Sequence, residues 1–366
     1  MSFLLCIPTE LVLIVISLSD VSSIISMYHV SKKLVTLKNN KSYRIQKSSY
    51  NIIMDAITNG YYNLLKWMTS TSSSSSNKQY LSKFSKSAKV DLCRKAAGIG
   101  HLEILKYLLE DSLPRSSEVN TLIVGSAAAN GQIEIVKWLH KNGYPWEKWC
   151  YPSAAKNGHL DILKYQYDNG CQLSASCCAN ASFGNHFEVL KWLRENGCLW
   201  DASACANAVE GGHFDLLKWL HGNGCPWDLV ACHEAAKHNR MEILKYLHEN
   251  GCPWNAIALG AAAYSGHSDV VKYMCENGCP SSKLTLSHAA FGGNLEIVKY
   301  LHKNGHPLGK CVSSSAAEGG HIEILQYLFE NGCDWDKWMF NHARRNNHLN
   351  VLEWLNENGY YCDEKK

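Results

Sequence analysis

Apolar positions along this chain fall into a pattern that restarts every 27 residues. Its clearest marker is a turn position filled by Gly or Asn: Gly131, Gly158, Asn185, Gly212, Asn239, Gly266, Gly293, Gly320 and Asn347 are evenly spaced 27 residues apart. Gly60 and Gly100 fit the same template with longer connections, which makes eleven units. A fixed period of this size identifies stacked supersecondary units, none of which can bury its apolar face alone.

Each unit predicts two helices. Ala stands four residues before the marker in every unit, from Ala56 through Ala208 to Ala343. So small a side chain, kept so regularly, predicts a close helix–helix contact. Seven residues before that Ala stand Glu147, Ser174, Asp201, Asp228, Asn255, Ser282, Gly309 and Asp336. All but Glu147 are residue types that serve the free N–H groups of a first turn. The first helix of each unit, helix A, therefore starts there. Its buried stripe lies three, four, seven and eight residues on, as in Ala231, Cys232, Ala235 and Ala236. Pro152 falls inside one predicted helix A, which it should kink or displace.

Helix B follows the marker. It carries an acid in its first turn, such as Glu103 or Glu242, where the helix dipole favours one. Lys follows three residues on in nine of the units and can pair with it on the exposed side. Helix B ends in Asn-Gly, the Gly suiting the left-handed residue that closes a helix. The next unit begins at once: NGCPWD at 223–228, NGCLWD at 196–201, NGCPWN at 250–255 and NGCDWD at 331–336. Each such stretch stops one helix, turns, and caps the next.

Composition removes several classes of function. The chain has 366 residues, 46% apolar, enough for a large interior, and its net charge of +3 gives no electrostatic reason to expect nucleic acid. Leu11 to Ile16, the longest N-terminal apolar run, is six residues, against about 20 for a membrane span. Pro8 and Glu10 interrupt what would be a signal-peptide core, so neither a membrane nor secretion is expected.

The reactive residues repeat with the units. Cys171, Cys198, Cys225, Cys252, Cys279 and Cys333 form a ladder. Equivalent positions in stacked helical units lie about 10 Å apart, whereas a disulfide needs Cα atoms within about 7 Å and zinc needs converging ligands. The ladder therefore predicts small buried hydrophobes, with no metal and no disulfide along it. Sixteen Cys without partners point to a reducing compartment, cytoplasm or nucleus. His101, His159, His186, His213, His267, His321 and His348 share one repeat position, and His140, His221, His248 and His302 another. Repetition predicts a shared structural task, hydrogen bonding at the turn, whereas a catalytic His would be singular. An aromatic at one helix B position of every unit, such as Trp219 or Tyr246, predicts packing between repeats. No catalytic constellation, phosphate loop or metal motif stands out, so no enzyme and no cofactor is expected.

AAKNGHLDILKYQYDNG at 154–170 and AAEGGHIEILQYLFENG at 316–332 resemble the helical half of the ankyrin repeat. The resemblance covers about residues 50–362. The usual repeat has 33 residues, a T-P-L-H motif and a β-hairpin finger, and this one has neither the length nor the motif. It resembles the short repeats of giant DNA viruses of protists and of some protists. The resemblance implies an all-α, ankyrin-like solenoid lacking most β-hairpin fingers, monomeric, that binds another protein on its concave face.

The N-terminus resembles an F-box. Ile7, Pro8 and Leu11 match that family's opening, Val15 and Ile16 its next apolar pair, Ile24 the following helix, and Val30 with Ser31, Lys32 and Lys33 its close. Ser19 and Leu34 depart from it. The resemblance implies docking on a Skp1-like adaptor of cullin ubiquitin ligases, with host-cell cytoplasm as the setting if the chain is viral. The alternative is a cap over the open end of the solenoid. The expected organisation is F-box-like helices at 1–38, a bridge and first repeat at 39–68, a Ser-rich loop at 69–77, and the array with its terminal cap at 78–366.

Repeat proteins bind where side chains vary over a fixed framework. Nine residues after the cap, helix A carries Lys156, Phe183, Glu210, Lys237, Tyr264, Phe291, Glu318 and Arg345. Five and six residues after it, His233, Glu234, His288, Asn341 and His342 vary likewise. These positions are expected to floor the target-binding groove, with Phe183, Tyr264 and Phe291 as anchors.

Overall fold

The structure, a computed structural model, describes residues 50, 53–69, 84–110, 117–144, 150–336 and 338–360. The F-box-like segment, and all of the Ser-rich loop but Thr69, lie outside these. The chain divides into two compact units, residues 1–173 and 174–366. The first holds helical residues 53–58, then α1 (Tyr62–Thr69), α2 (Lys86–Ile99), α3 (Leu102–Glu110), α4 (Ser117–Ala129), α5 (Ile133–Lys141), α6 (Cys150–Lys156) and α7 (Leu160–Asp168). The second holds seven helix pairs. They are α8 (Ala175–Phe183) with α9 (Phe187–Glu195), α10 (Ala202–Gly211) with α11 (Phe214–Gly222), α12 (Leu229–Lys237) with α13 (Met241–Glu249), α14 (Ala256–Tyr264) with α15 (Ser268–Glu276), α16 (Thr285–Phe291) with α17 (Leu295–Lys303), α18 (Lys310–Gly319) with α19 (Ile322–Glu330), and α20 (Trp338–Arg345) with α21 (Leu349–Glu357). Among the described residues there is no strand, so the hairpin fingers are missing. Both units have the expected all-α, ankyrin-like stacking.

The small residues explain the stacking. All eleven marker-linked Ala residues, Ala56 to Ala343, are at most 2% exposed. In the second unit α8 packs on α10, α10 on α12, and so on to α20, while each B helix packs chiefly on its own A helix. Helix B contributes the larger buried side chains, for example Ile243, Leu244 and Leu247 in α13. Each such side chain stabilises by about 1.5–3 kcal/mol when fully buried. On the outer side six acid–Lys pairs of helix B close at three-residue spacing, among them Lys106–Glu103 at 2.7 Å and Lys137–Glu134 at 3.1 Å. Exposed as they are, they add little.

The caps mostly sit where expected. Asp201, Asp228 and Asn255 accept bonds from the backbone N–H two residues on, and Asp336 from Trp338 N–H. One start is displaced. The helix expected to begin after Ser282 begins at Thr285 instead, because the Ser282 hydroxyl accepts from Leu284 N–H and its carbonyl from Thr285 N–H, holding a separate turn. Pro152 is the third residue of α6, among the first-turn positions whose N–H has no partner within a helix. The marker turns require a left-handed residue. Among the described residues, the three non-Gly residues with positive φ are Asn185, Asn239 and Asn347 at 60°, 56° and 60°, the markers that lack Gly. Asn is the side chain that tolerates this region best.

In five repeats the His that follows the marker ties the repeat to the one before, whereas His101 keeps a buried Nε2 without a hydrogen-bond partner. His213 Nε2 lies 2.9 Å from Phe183 O, His267 Nε2 2.9 Å from Lys237 O, His321 Nε2 3.0 Å from Phe291 O, and His348 Nε2 2.9 Å from Glu318 O. Asn294 does the same with its side-chain amide, donating to Ala263 O and Tyr264 O at 2.9 and 3.0 Å. A carbonyl only accepts, so each imidazole carries its proton on Nε2. These bonds satisfy carbonyls at the end of helix A that have no partner within the helix.

The joint between repeats is built the same way. The thiols of Cys225, Cys252 and Cys279 donate to the cap carbonyls of Asp201, Asp228 and Asn255 at 3.5, 3.4 and 3.5 Å. The joint's Trp folds back on the last turn of the preceding helix B: Trp227 stacks on His221 at 3.6 Å and Trp254 on His248 at 3.9 Å. At the same repeat position His140 and His302 instead hydrogen-bond the hydroxyls of Tyr165 and Tyr327, Nδ1 to Oη at 3.1 and 2.8 Å. Cys225→Ala should lower stability by about 1 kcal/mol, a weak bond and one sulfur. Gly224→Val should cost about 2 kcal/mol, because φ there is +78° and only the backbone, with open space around it, resists the side chain. Urea unfolding of both variants checks this order; release of a metal by Cys225→Ala would contradict it.

Candidate functional site on helix A

The variable positions occupy the middle of helix A, as at His233 and His288, and its last turn, as at Lys237 and Tyr264. The His–carbonyl bonds fix the backbone there while the side chains stay accessible to different degrees. Phe183, Glu210, His233, Phe291 and Glu318 are half-buried, and Lys237, Tyr264 and His288 are exposed. Tyr264 is 51% exposed and lies over Phe291, ring centroids 5.7 Å apart and 22° from parallel. Two residues from neighbouring repeats thus form one aromatic plate. His288 lies over Gly260 of the preceding repeat, where the missing Cβ makes room for the ring.

Charged residues gather around two further points. A side chain nine residues after one cap meets the one six residues after the next cap. Glu318 therefore pairs with His342, its Oε2 3.6 Å from Nδ1. Glu210 meets Glu234 in the same register, and His238 joins them: one ligand-type atom of each lies within 4.8 Å of the others. Glu234 also takes Lys237 Nζ at 3.5 Å, His238 Nε2 at 3.2 Å and His233 Nε2 at 3.9 Å. Two carboxylates share this knot with one ammonium and two imidazoles. The His233 Nδ1 atom is buried within it and has no hydrogen-bond partner.

The structure therefore brings Glu210, His233 and Lys237 together, and Tyr264 with Phe291. Phe183 is placed in the same register, its carbonyl held by His213. His238 was not among the sequence-derived candidates. Its position holds Gly184, Gly211, Ser265, Gly292, Gly319 or Asn346 in other repeats, so an imidazole there breaks the register. That departure is the signal that could have found it. The seven adaptor positions, Ile7, Pro8, Leu11, Val15, Ile16, Ile24 and Val30, lie outside the described residues.

Residues 204–285 and 286–366 each match the family model described as ankyrin repeats (3 copies). This part of the chain carries ankyrin repeats. Comparison with curated proteins returns no match. Ankyrin repeats support a role in protein–protein interaction, and proteins built from them are usually binding scaffolds without catalysis. Among the described residues no helix is long and apolar enough to cross a membrane.

Proposed function

We propose that the chain is an adaptor, in cytoplasm or nucleus, whose ankyrin repeats hold a target protein on the helix A face. The observation that carries this is the Tyr264–Phe291 plate: two aromatic rings from neighbouring repeats lie on one another, with Tyr264 51% exposed, at a position whose side chain changes from repeat to repeat. Large aromatic side chains are the common anchors of protein interfaces. The acidic and cationic knots on either side of it in the sequence give the face its selectivity.

We further propose that residues 1–38 dock on a Skp1-like adaptor and so present the target to a ubiquitin ligase. The ungapped F-box-like spacing from Ile7 to Lys33 supports this. Affinity capture with the full chain and with a chain lacking residues 1–38 tests both proposals together. The target should be recovered with each, and the Skp1-like protein with the full chain alone. Pro8→Ala combined with Ile16→Asp should abolish adaptor capture and leave the melting of the repeats unchanged. If that double variant unfolds the first repeats instead, the segment is a solenoid cap.

A further inference from the structure

Cys178, in α8, and Cys198, in the joint after α9, bring their sulfurs to 3.6 Å, with both residues at most 2% exposed. The reasoning that ladder cysteines cannot reach one another holds for equivalents 27 residues apart. This contact instead joins a ladder Cys to a helix A Cys twenty residues before it. The same spacing occurs at Cys205 with Cys225 and at Cys232 with Cys252.

Two features separate the first pair from the other two: Cys178 donates to the Cys198 sulfur itself, where Cys205 and Cys232 lie 3.9 Å from the carbonyls of Cys225 and Cys252, and an Arg stands beside the first pair alone. Arg194 donates from Nη1 to Cys198 O at 2.7 Å, and its guanidinium lies 4.1 Å from the Trp200 ring, so the cation is fixed at the Cys198 residue by two contacts. The corresponding residues of the next two repeats are His221 and His248, each stacked on its own Trp. The next residue after Cys198, Leu199, is 76% exposed, so the joint that carries Cys198 lies at the protein surface.

We propose that Cys178 and Cys198 form a reactive dithiol that a peroxide converts to a disulfide, with Cys198 as nucleophile and Cys178 as the resolving thiol. The Cys198 thiolate attacks one peroxide oxygen. The O–O bond breaks, and the leaving hydroxide takes up a proton as water. Cys198 then carries an S–OH group. The Cys178 sulfur attacks that sulfur, the S–S bond forms, and the OH leaves as water with the Cys178 proton. Two thiols and one hydrogen peroxide give one disulfide and two waters.

The local electrostatics favour this division of labour. The bond from Cys178 S–H, followed by the Arg194 charge, holds the Cys198 thiol below its usual range against the opposing effect of burial. The same bond, then burial, pushes Cys178 up, so it stays protonated until it is needed. At Cys205 and Cys232 the helix A thiols are pushed up in the same way, but their ladder partners have no Arg beside them. The disulfide would staple helix A to the joint that ends the same repeat, restricting the unfolded chain.

The test uses the reduced full chain, limiting hydrogen peroxide, alkylation of the remaining thiols and peptide mapping. The 178–198 cross-link should form first, ahead of 205–225 and 232–252, and the oxidised chain should melt at a higher temperature. Arg194→Gln should slow cross-linking about threefold or more through the lost thiolate fraction. In Cys178→Ser, which keeps a hydrogen-bond donor toward the Cys198 sulfur but cannot close a disulfide, Cys198 should accumulate as a sulfenic acid that a cyclic 1,3-diketone probe labels. Equal oxidation rates at all three pairs would overturn the proposal. So would an unlabelled Cys198 in a Cys178→Ser chain whose circular dichroism is native.

Discussion

Gly292→Ala is expected to destabilise the second unit by about 3 kcal/mol, far more than one methyl group suggests. Gly292 ends α16 with φ −75°, an ordinary value, so the backbone is not the obstacle. The obstacle is the preceding repeat: a Cβ at this position would run into Tyr264 O and come within 2.7 Å of Asn294 Nδ2. A carbonyl oxygen in the last turn of α14 cannot swing aside as a side chain can. Relief requires the two repeats to part, which stretches the bonds that Asn294 donates to Ala263 O and Tyr264 O. Overpacking of this kind costs about 1–3 kcal/mol, and a lost hydrogen bond about 1 more. Gly319 faces Phe291 O in the same geometry and should behave alike. Gly224→Ala is the control, since its Cβ meets nothing within 4 Å; only its left-handed backbone is penalised, by about 1 kcal/mol. Neighbour coupling holds a stack together, so Gly292→Ala should also split the urea transition in two. A single transition with an unchanged midpoint would show that the repeats tolerate the shift.

Much of this fold was legible because the same short string is read again in each repeat. The buried Ala, the caps and the closing Asn-Gly are local signals, each with one physical cause, and repetition averages out exceptions such as Glu147. The exceptions that remained needed context. Ser282 looks like a helix cap and is one in part, but its hydroxyl and carbonyl hold a turn that delays the helix to Thr285. The tasks of the His positions were legible only in outline. That the His following the marker reaches a carbonyl of the previous repeat, thirty residues back, depends on the distance between stacked helices. The pattern within one repeat does not contain that distance.

The same limit applies to the chemistry. Position in the repeat showed where side chains vary, and the structure leaves some of those places exposed, as at Lys237 and Tyr264, and others half-buried, as at Phe183 and Glu318. It did not show which of them meet. Glu210, Glu234 and His238 come from two repeats and touch because residue nine of one unit faces residue six of the next. Cys178 and Cys198 were hidden for a related reason: comparing equivalents down the ladder overlooks a contact between two non-equivalent positions of one repeat.

Replacing both Tyr264 and Phe291 with Ala should weaken target binding by at least about 2 kcal/mol, roughly thirtyfold. The side chains and the backbone of these residues have separate tasks. Their carbonyls accept the bonds from Asn294 and His321 that tie the repeats together, and an Ala backbone offers the same oxygens. Their rings lie on one another at 5.7 Å, with Tyr264 half in solvent, and are not part of the buried Ala and Leu core. Truncating them therefore removes an aromatic contact worth about 1 kcal/mol and should lower the melting temperature by only a few degrees. Binding should suffer more, because a partner covering the plate would dehydrate both rings at once. Tyr264→Ala alone should account for the larger share, being the more exposed ring. Calorimetry with the captured target, alongside thermal melts of the free chain, separates the two effects. A melting temperature that falls by many degrees, with affinity per folded molecule unchanged, would place the plate in the core of the stack and move the binding face elsewhere.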